Sequence, residues 1–352
     1  MNHRVLVVGA GVAGTAAALA AARAGAPVTL VDGGTGASTL ATGALDALFW
    51  QRAPASPAAI DRAAREALDA LGGYVLPDEG ARLLTTSGIA RPARGHDAAL
   101  LDVAPLGGAR VGVVRCERPG WDAGALARAW GESFEPIDAV VMRYADERVL
   151  PDADFATRHD DGARLGWLAE RLRDALARSG HTIRAIVLPP CLGVERPRAR
   201  ALSELVGVSC GEAIALPGGP SGLRFEQARD RALATAGIER VRGRATSVGR
   251  HGDGWRVATE EGRTHEGGAV VLATGGLIGG GIEYAPGESI VASALPPFAR
   301  PPFRLTVDAP LTLGAYGSRL ELPGTLFGVA PESIAWPCSF LRYVTPSPSS
   351  AL

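Results

Sequence analysis

Two short runs of β-branched apolar residues lie near the start of the chain, with a stretch of small residues between them. Residues 5–8 (VLVV) predict a strand buried on both faces of a parallel sheet. Residues 12–24 are small or favour helices and stop before Gly25, a residue common at helix C-termini, and residues 28–31 predict a second buried strand. This opening pattern predicts a βαβ unit.

The rest of the chain is less regular and is interrupted by Pro and Gly. Residues 75–160 show no regular alternation of strands and helices. Further helices are predicted over 58–72, 164–179 and 196–206, and further strands near 111–114, 139–142, 183–188, 245–250, 254–259 and 269–273.

Three glycines occupy the predicted turn between the first strand and the helix, in the sequence GAGVAG. Gly9 permits the tight turn, Gly11 lets the backbone approach a pyrophosphate, and Gly14 lets the helix pack against the sheet. The amides of the first helical turn, at Val12 and Ala13, then face the phosphates and are aided by the helix dipole. Within its strand–helix–strand context, this spacing predicts a dinucleotide site.

An acidic residue ends the second predicted strand. Asp32 follows Gly14 by 18 residues, where a carboxylate accepts hydrogen bonds from a ribose hydroxyl and repels the 2′-phosphate of NADP. FAD and NAD both use such a unit, so the remaining sequence has to distinguish them.

Two later features favour FAD over NAD. A loop rich in Gly, Ser and Thr follows Asp32 and offers hydroxyls and backbone amides to a pyrophosphate and an isoalloxazine ring. Residues 269–276 (AVVLATGG) predict a buried strand that returns beside the first one, with small residues passing under the cofactor. The candidate flavin contacts are Ser38, Thr39, Thr42, Gly43, Ala273, Thr274 and Gly275.

The amino-acid composition argues against several classes of function. The 352 residues carry 36 Lys plus Arg and 37 Asp plus Glu, a formal charge of −1 that indicates no nucleic-acid partner. The chain contains no lysine, which excludes Schiff-base chemistry on a lysine. The four widely spaced cysteines indicate neither a metal site nor a disulfide framework: Cys116, Cys191, Cys210 and Cys338.

The sequence also bears on location and catalysis. No run is long and apolar enough for a transmembrane helix, and the glycines and Arg23 disfavour a signal peptide at the N-terminus. We expect a cytoplasmic protein that is peripheral to the inner membrane, if at all, through a partner. None of the six histidines has a sequence partner that indicates a base, so no catalytic residue is assigned.

With these residues in view, the chain resembles the second flavin subunit of the anaerobic glycerol-3-phosphate dehydrogenases, within the fumarate reductase/aspartate oxidase-like flavoproteins. The resemblance spans most of residues 4–285. Beyond the glycine motif it rests on GASTLATGALDAL (36–48), IVLPPCLGVE (186–195), ALPGGPSGLRFEQARDRAL (215–233) and LATGGLIGGGI (272–282).

The resemblance implies a flavin subunit that works beside a catalytic flavoprotein subunit and an iron–sulfur subunit. Together such subunits oxidise glycerol 3-phosphate and pass electrons toward quinone. The second flavin subunit of the family is often credited with FMN, whereas Asp32 as a ribose acceptor favours FAD, with FMN as the alternative. Arg224 matches an arginine of the family pattern and is a candidate ligand for an anionic substrate or a flavin phosphate, with a surface position at a helix start as the alternative.

These inferences predict an α/β fold, a Rossmann-like FAD/NAD(P)-binding domain with an inserted α+β cap or substrate domain. The expected division is 1–75 and 241–285 for the FAD-binding domain, 76–240 for the insertion, and 286–352 for a C-terminal segment that is incomplete relative to the family. There GTLFGVAPE (324–332) only partly matches the family's closing motif. Two other functions stay open: a non-catalytic assembly subunit, and a stand-alone FAD- or NAD-linked reductase.

Overall fold

A computed structural model of the chain describes residues 3–34, 36–45 and 58–275, and the strands at 304–307, 318–321 and 327–328. The chain divides into two compact units: a first unit of Met1–Ser38, Pro57–Ala70 and Arg229–Leu352, and a second unit of Thr39–Ser56 and Leu71–Ala228. Compared with the predicted division, residues 39–56 and 71–75 join the second unit and residues 229–240 join the first.

The first unit contains a five-stranded parallel sheet in the order β12-β2-β1-β16-β19. Val5 is in register with Val28 on one side and with Ala269 on the other, so the strand predicted to return beside the first one does so. The strands are β1 (Val5–Val8), β2 (Val28–Asp32), β12 (Glu239–Arg242), β16 (Ala269–Leu272) and β19 (Phe327–Gly328).

Both faces of this sheet are covered. Helix α1 (Val12–Arg23) contacts β1, β2 and β16, and residues 58–70 of α2 (Ala58–Leu71) belong to the same unit. Leu6 and Val8 pack with Trp255 and Val257 of an antiparallel sheet. That sheet consists of β13 (Ala245–His251), β14 (Gly254–Thr259) and β15 (Thr264–Gly267), and a separate antiparallel pair joins β17 (Arg304–Val307) to β18 (Ser318–Glu321).

The second unit contains its own parallel sheet, in the order β11-β10-β8-β9. Alternate residues of β8 enter different cores, Val113 packing with Leu126 of α3 and Val114 with Leu168 of α5. The elements are β8 (Val111–Val114), α3 (Ala123–Trp130), β9 (Phe134–Ile137), α4 (Asp152–Thr157), α5 (Gly162–Arg178), β10 (Ala185–Leu188), α6 (Ala199–Val206) and β11 (Ser209–Glu212). The insertion thus has strand–helix repeats, of which β8, α5, β10 and α6 were predicted and α3, β9 and β11 were not.

One strand prediction in this region is wrong. The strand lies at Phe134–Ile137 rather than at 139–142. Ala139 and Val141 are buried, and this burial rather than strand geometry explains their apolar pattern. Pro136 obscured the real strand, since proline is tolerated mainly in edge strands, and β9 pairs with β8 alone at the end of its sheet.

Smaller elements complete the second unit. Two antiparallel sheets are formed by β3 (Ala44–Leu45), β7 (Gly95–Asp97) and β4 (Tyr74–Val75), and by β5 (Ala81–Leu84) and β6 (Ala90–Ala93). Helix α7 (Pro220–Thr235) has its first part in this unit. Among the described residues, no helix combines the length and apolarity that crossing a membrane requires.

Candidate functional site

The glycine motif of the first unit is packed against the end of β16. A Cβ on Gly9 would stand 2.1 Å from the carbonyl oxygen of Ala273 and 3.2 Å from the amide nitrogen of Thr274, and Gly9 has a φ of +109°. A Cβ on Gly14 would stand 1.8 Å from the carbonyl oxygen of Gly9 and 3.3 Å from the Cβ of Ala273. The structure therefore brings together Gly9, Gly14, Ala273 and Thr274, and two of these positions tolerate no side chain.

The start of α1 is open to an anion. Gly11 is the N-cap residue and supplies no side-chain hydrogen bond, and the first turn contains no acidic residue. A Cβ on Gly11 would meet the Ser38 hydroxyl oxygen at 3.2 Å and no other described atom within 4 Å. The Val12 amide donates to Ser38 Oγ over 3.1 Å. The next amides, at Ala13 and Gly14, have no acceptor within the helix, because the first helical turn lacks preceding carbonyls.

Asp32 ends β2 as predicted, and its carboxylate already has partners. Its side chain is buried, with 4% exposure. The Gly34 amide donates to Oδ1 over 3.0 Å, and Arg240 of β12 donates to Oδ2 from Nε over 2.8 Å and from Nη2. A ribose hydroxyl would therefore join an existing hydrogen-bonded group rather than meet an isolated carboxylate.

A second arginine touches the glycine turn itself. Arg229 Nη1 donates to the Ala10 carbonyl oxygen over 3.2 Å, and Arg229 Nε donates to Asp230 Oδ1 over 2.8 Å. Sequence reasoning singled out neither Arg229 nor Arg240, because nothing local to either residue indicates which strand or turn it faces.

The remaining predicted loop contacts belong to the second unit. A Cβ on Gly222 would stand 1.8 Å from the Thr39 carbonyl oxygen, so helix α7 begins directly against this loop. Gly43 has a φ of +85°, and a Cβ there would stand 2.7 Å from Ser221 Oγ. Thr42 is partly buried. Thr39 and Gly43 thus lie against the start of α7.

Arg224 lies at the centre of a buried ion cluster in the same unit. Its Nε donates to Asp97 Oδ2 over 2.6 Å, and its Nη2 donates to Glu212 Oε2 over 2.7 Å and to Ser221 Oγ over 3.0 Å. Its Nη1 donates to the Gly193 carbonyl oxygen. The side chains of Arg224, Asp97 and Glu212 are at most 2% exposed.

The electrostatics of this cluster follow from burial. Burial raises the pKa of Glu212, although Arg224 and the backbone amide of Leu192 oppose the shift. Burial alone would lower the pKa of Arg224, but Asp97 and Glu212 hold it above its usual value. Arg224 is therefore neither on the surface nor open to a ligand as it stands: a substrate or phosphate would have to displace one of its internal partners.

The end of the predicted flavin strand is described as far as Gly275, which has a φ of +86°. Gly276 and residues 277–282 of the motif lie outside the described residues. Of the closing segment 324–332, the structure describes residues 327–328, which extend the parallel sheet beside β16.

Two family matches agree with this geometry. Residues 4–160 match the family described as an FAD binding domain, and residues 223–277 match a family described as FAD-NAD(P)-binding. The fold is a Rossmann-like FAD/NAD(P)-binding fold, and FAD is the cofactor that the matches support. No curated protein sequence matches the chain.

Several solved structures are similar to the chain at low identity. Iminodiacetate oxidase from Chelativorans sp. BNC1 is 18% identical, with a TM-score of 0.31 over 81% of this chain and 64% of that one. Glycine oxidase from Geobacillus kaustophilus is 17% identical, with a TM-score of 0.30 over 77% of this chain and 55% of that one. A flavin monooxygenase from Stenotrophomonas maltophilia is 14% identical, with a TM-score of 0.28 over 82% and 42%. The chain spans less than two thirds of the length of each of these proteins.

Proposed function

We propose that the chain is a flavin-dependent oxidoreductase subunit that holds FAD in its first unit. The observation that carries the proposal is the close packing of Gly9 and Gly14 with Ala273 beneath the open start of α1. Backbone packed this tightly leaves room for a pyrophosphate against helix amides, which is the use that dinucleotide folds make of such glycines.

Different residues of the first unit would bind the pyrophosphate and the ribose of FAD. The amides of Ala13 and Gly14 would receive the pyrophosphate, and Asp32 would accept a hydrogen bond from the ribose of the adenosine half. Bound FAD supplies the hydride acceptor, and the protein supplies binding and orientation.

We further propose that the substrate and partners are those of anaerobic glycerol-3-phosphate dehydrogenases. Support comes from the sequence resemblance over residues 4–285, including the motifs at 36–48, 186–195 and 215–233. In that reaction a secondary alcohol loses two electrons and two protons to become a ketone, and the electrons continue toward quinone. A catalytic flavoprotein subunit and an iron–sulfur subunit are the proposed partners.

The experiment is a flavin-reduction assay on the purified full-length chain. After reconstitution with FAD, the protein is titrated anaerobically with glycerol 3-phosphate, with glycerol and glycine as control substrates, and the flavin absorbance is followed. Loss of the oxidised flavin spectrum with glycerol 3-phosphate alone is the expected result. The same titration is repeated with the proposed partner subunits added.

Each alternative gives a different outcome. FAD that binds but is reduced by none of the compounds, with or without partners, would favour a non-catalytic assembly subunit. Saturable NADH binding without any flavin would favour a stand-alone NAD-linked reductase. Absence of flavin binding under all conditions would overturn the proposed function.

A further inference from the structure

A continuous series of hydrogen bonds and ion pairs links the two segments of the first unit that the proposed function assigns to the dinucleotide. It begins at the Ala10 carbonyl in the glycine turn, which accepts from Arg229, and ends at Asp32, the last residue of β2. Asp230 joins the two arginines: its Oδ1 lies 2.8 Å from Arg229 Nε and 3.0 Å from Arg240 Nη1. The glycine turn and the ribose acceptor are thus connected through two arginines and one aspartate.

Arg240 donates hydrogen bonds to only one of the two carboxylate oxygens of Asp32. Oδ2 receives both Nε and Nη2 of Arg240, whereas Oδ1 receives the Gly34 amide. A carboxylate oxygen has two acceptor positions, so Oδ2 is filled and Oδ1 retains one. Arg240 therefore determines which oxygen of Asp32 can accept a further hydrogen bond.

Asp32 and Arg229 are buried, whereas Arg240 and Asp230 are partly exposed. The side chain of Asp32 is 4% exposed, that of Arg229 8% and that of Arg240 24%. Burial would raise the pKa of Asp230, but hydrogen bonds and charges from Arg229 and Arg240 keep it below its usual value, so the link stays ionised. A planar guanidinium held at both ends loses little further freedom when a ligand arrives.

We propose that Arg240 is a positioning residue for the adenosine half of the cofactor, acting through Asp32. Arg240 holds Asp32 Oδ2 and so presents Oδ1 to the ribose. This inference rests on the proposed FAD site. It requires that the preference of the protein for FAD over FMN depends on Arg240, because FMN carries the flavin and one phosphate but lacks the adenosine.

The test measures FAD and FMN affinity separately on the flavin-depleted full-length chain. Dissociation constants come from quenching of flavin fluorescence for the wild type and for Arg240→Gln, Arg240→Lys and Arg242→Gln. Arg242 is the matched control, since it is exposed on the same strand and has no side-chain hydrogen bond or ion pair among the described residues. Circular dichroism checks that each variant is folded.

We expect Arg240→Gln to weaken FAD binding about ten- to hundredfold, the usual effect of losing hydrogen bonds to a charged group, and to leave FMN binding unchanged. Arg240→Lys keeps the positive charge but lacks the planar guanidinium with its several N–H donors. We expect its FAD affinity to lie between those of the wild type and Arg240→Gln. Arg242→Gln matches the wild type for both flavins.

Three outcomes separate this inference from the proposed function. A wild type that binds neither flavin overturns the proposed function and the inference with it. A wild type that binds FAD while Arg240→Gln binds it equally well, or loses FAD and FMN in equal measure, overturns the inference alone. If Arg240→Gln fails to fold, Asp230→Asn replaces it, because this change weakens the outer ion pair of Arg240 at a half-exposed site. The inference then requires that Asp230→Asn lowers the preference for FAD over FMN. An unchanged preference overturns the inference.

Discussion

The carbonyl oxygen of Ala273 occupies the space that a Cβ on Gly9 would need, at 2.1 Å. Residues separated by most of the chain are thus in direct backbone contact, because β16 lies beside β1 in the parallel sheet. The dinucleotide turn is shaped by this contact as much as by its own glycines.

The first prediction concerns Gly9. Gly9→Ala places a Cβ in this contact at a φ of +109°, and we expect a loss of about 2–4 kcal/mol in the free energy of unfolding together with loss of bound FAD. Gly25→Ala is the matched control, since its φ is +82° and no atom lies within 4 Å of its added Cβ. Thermal unfolding and the flavin-to-protein ratio provide the measurements. Equal losses in the two variants would show that the Ala273 contact contributes nothing.

The second prediction concerns Arg224. Arg224→Met leaves Asp97 and Glu212 buried without their cation, so we expect a loss of about 3–5 kcal/mol in the free energy of unfolding. Arg200→Gln, which breaks an exposed pair with Glu204, should cost about 0.5 kcal/mol or less.

Urea unfolding measures both variants. The sequence also suggested that Arg224 binds an anionic substrate, and this role predicts a different result. Arg224→Lys would then unfold like the wild type while the KM for an anionic substrate rises.

The third prediction concerns the pH dependence of stability. Burial, with the charge of Arg164 adding to it, lowers the pKa of His159 to about 4 in the folded protein. In the unfolded chain the pKa of this histidine has its ordinary value of about 6.5. The unfolded chain therefore binds a proton that the folded protein does not, and stability falls as the pH drops below that value. Between about pH 7 and pH 5 the wild type should lose about 2 kcal/mol that His159→Gln does not lose.

The control is His181→Gln, which alters an exposed histidine of the same unit. Urea unfolding at both pH values supplies the comparison. A pH dependence that is the same in the wild type and in His159→Gln would contradict the assignment.

The fourth prediction concerns the thiols. Burial raises the pKa of Cys116 and of Cys210 to about 12, and raises that of Cys191 well above its usual value. At about pH 8 these thiols should react with a disulfide reagent on the order of a thousandfold more slowly than an exposed cysteine, because the thiolate is the reactive form. A Cys338→Ser background removes the cysteine outside the described residues. Rapid modification of any of these three thiols in the folded protein would contradict the prediction.

Local patterns along the chain were sufficient for the first βαβ unit. The strands at β1 and β2, helix α1 and the acidic end at Asp32 lie where the apolar runs and the glycine spacing put them. Strand periodicity and glycine requirements act within a few residues, so a sequence records them directly. The same holds for α5, α6 and the β13–β14 pair.

The parallel sheet of the second unit was harder to predict. Its strands are four residues long, and β9 contains a glutamate and a proline, so no continuous apolar run marks it. The burial of Ala139 and Val141 beyond the strand moved the predicted position by several residues.

The sequence by itself determined that the chain begins with a dinucleotide fold, because the glycine spacing and the acidic strand end are local requirements. Only the tertiary structure decided what surrounds them. It places Arg240 on Asp32, Arg229 on Ala10 and Ala273 on Gly9, and it buries Arg224 between two carboxylates. The physical reason is that hydrogen bonds and close packing between distant segments depend on strand order and register, which adjacent residues do not encode.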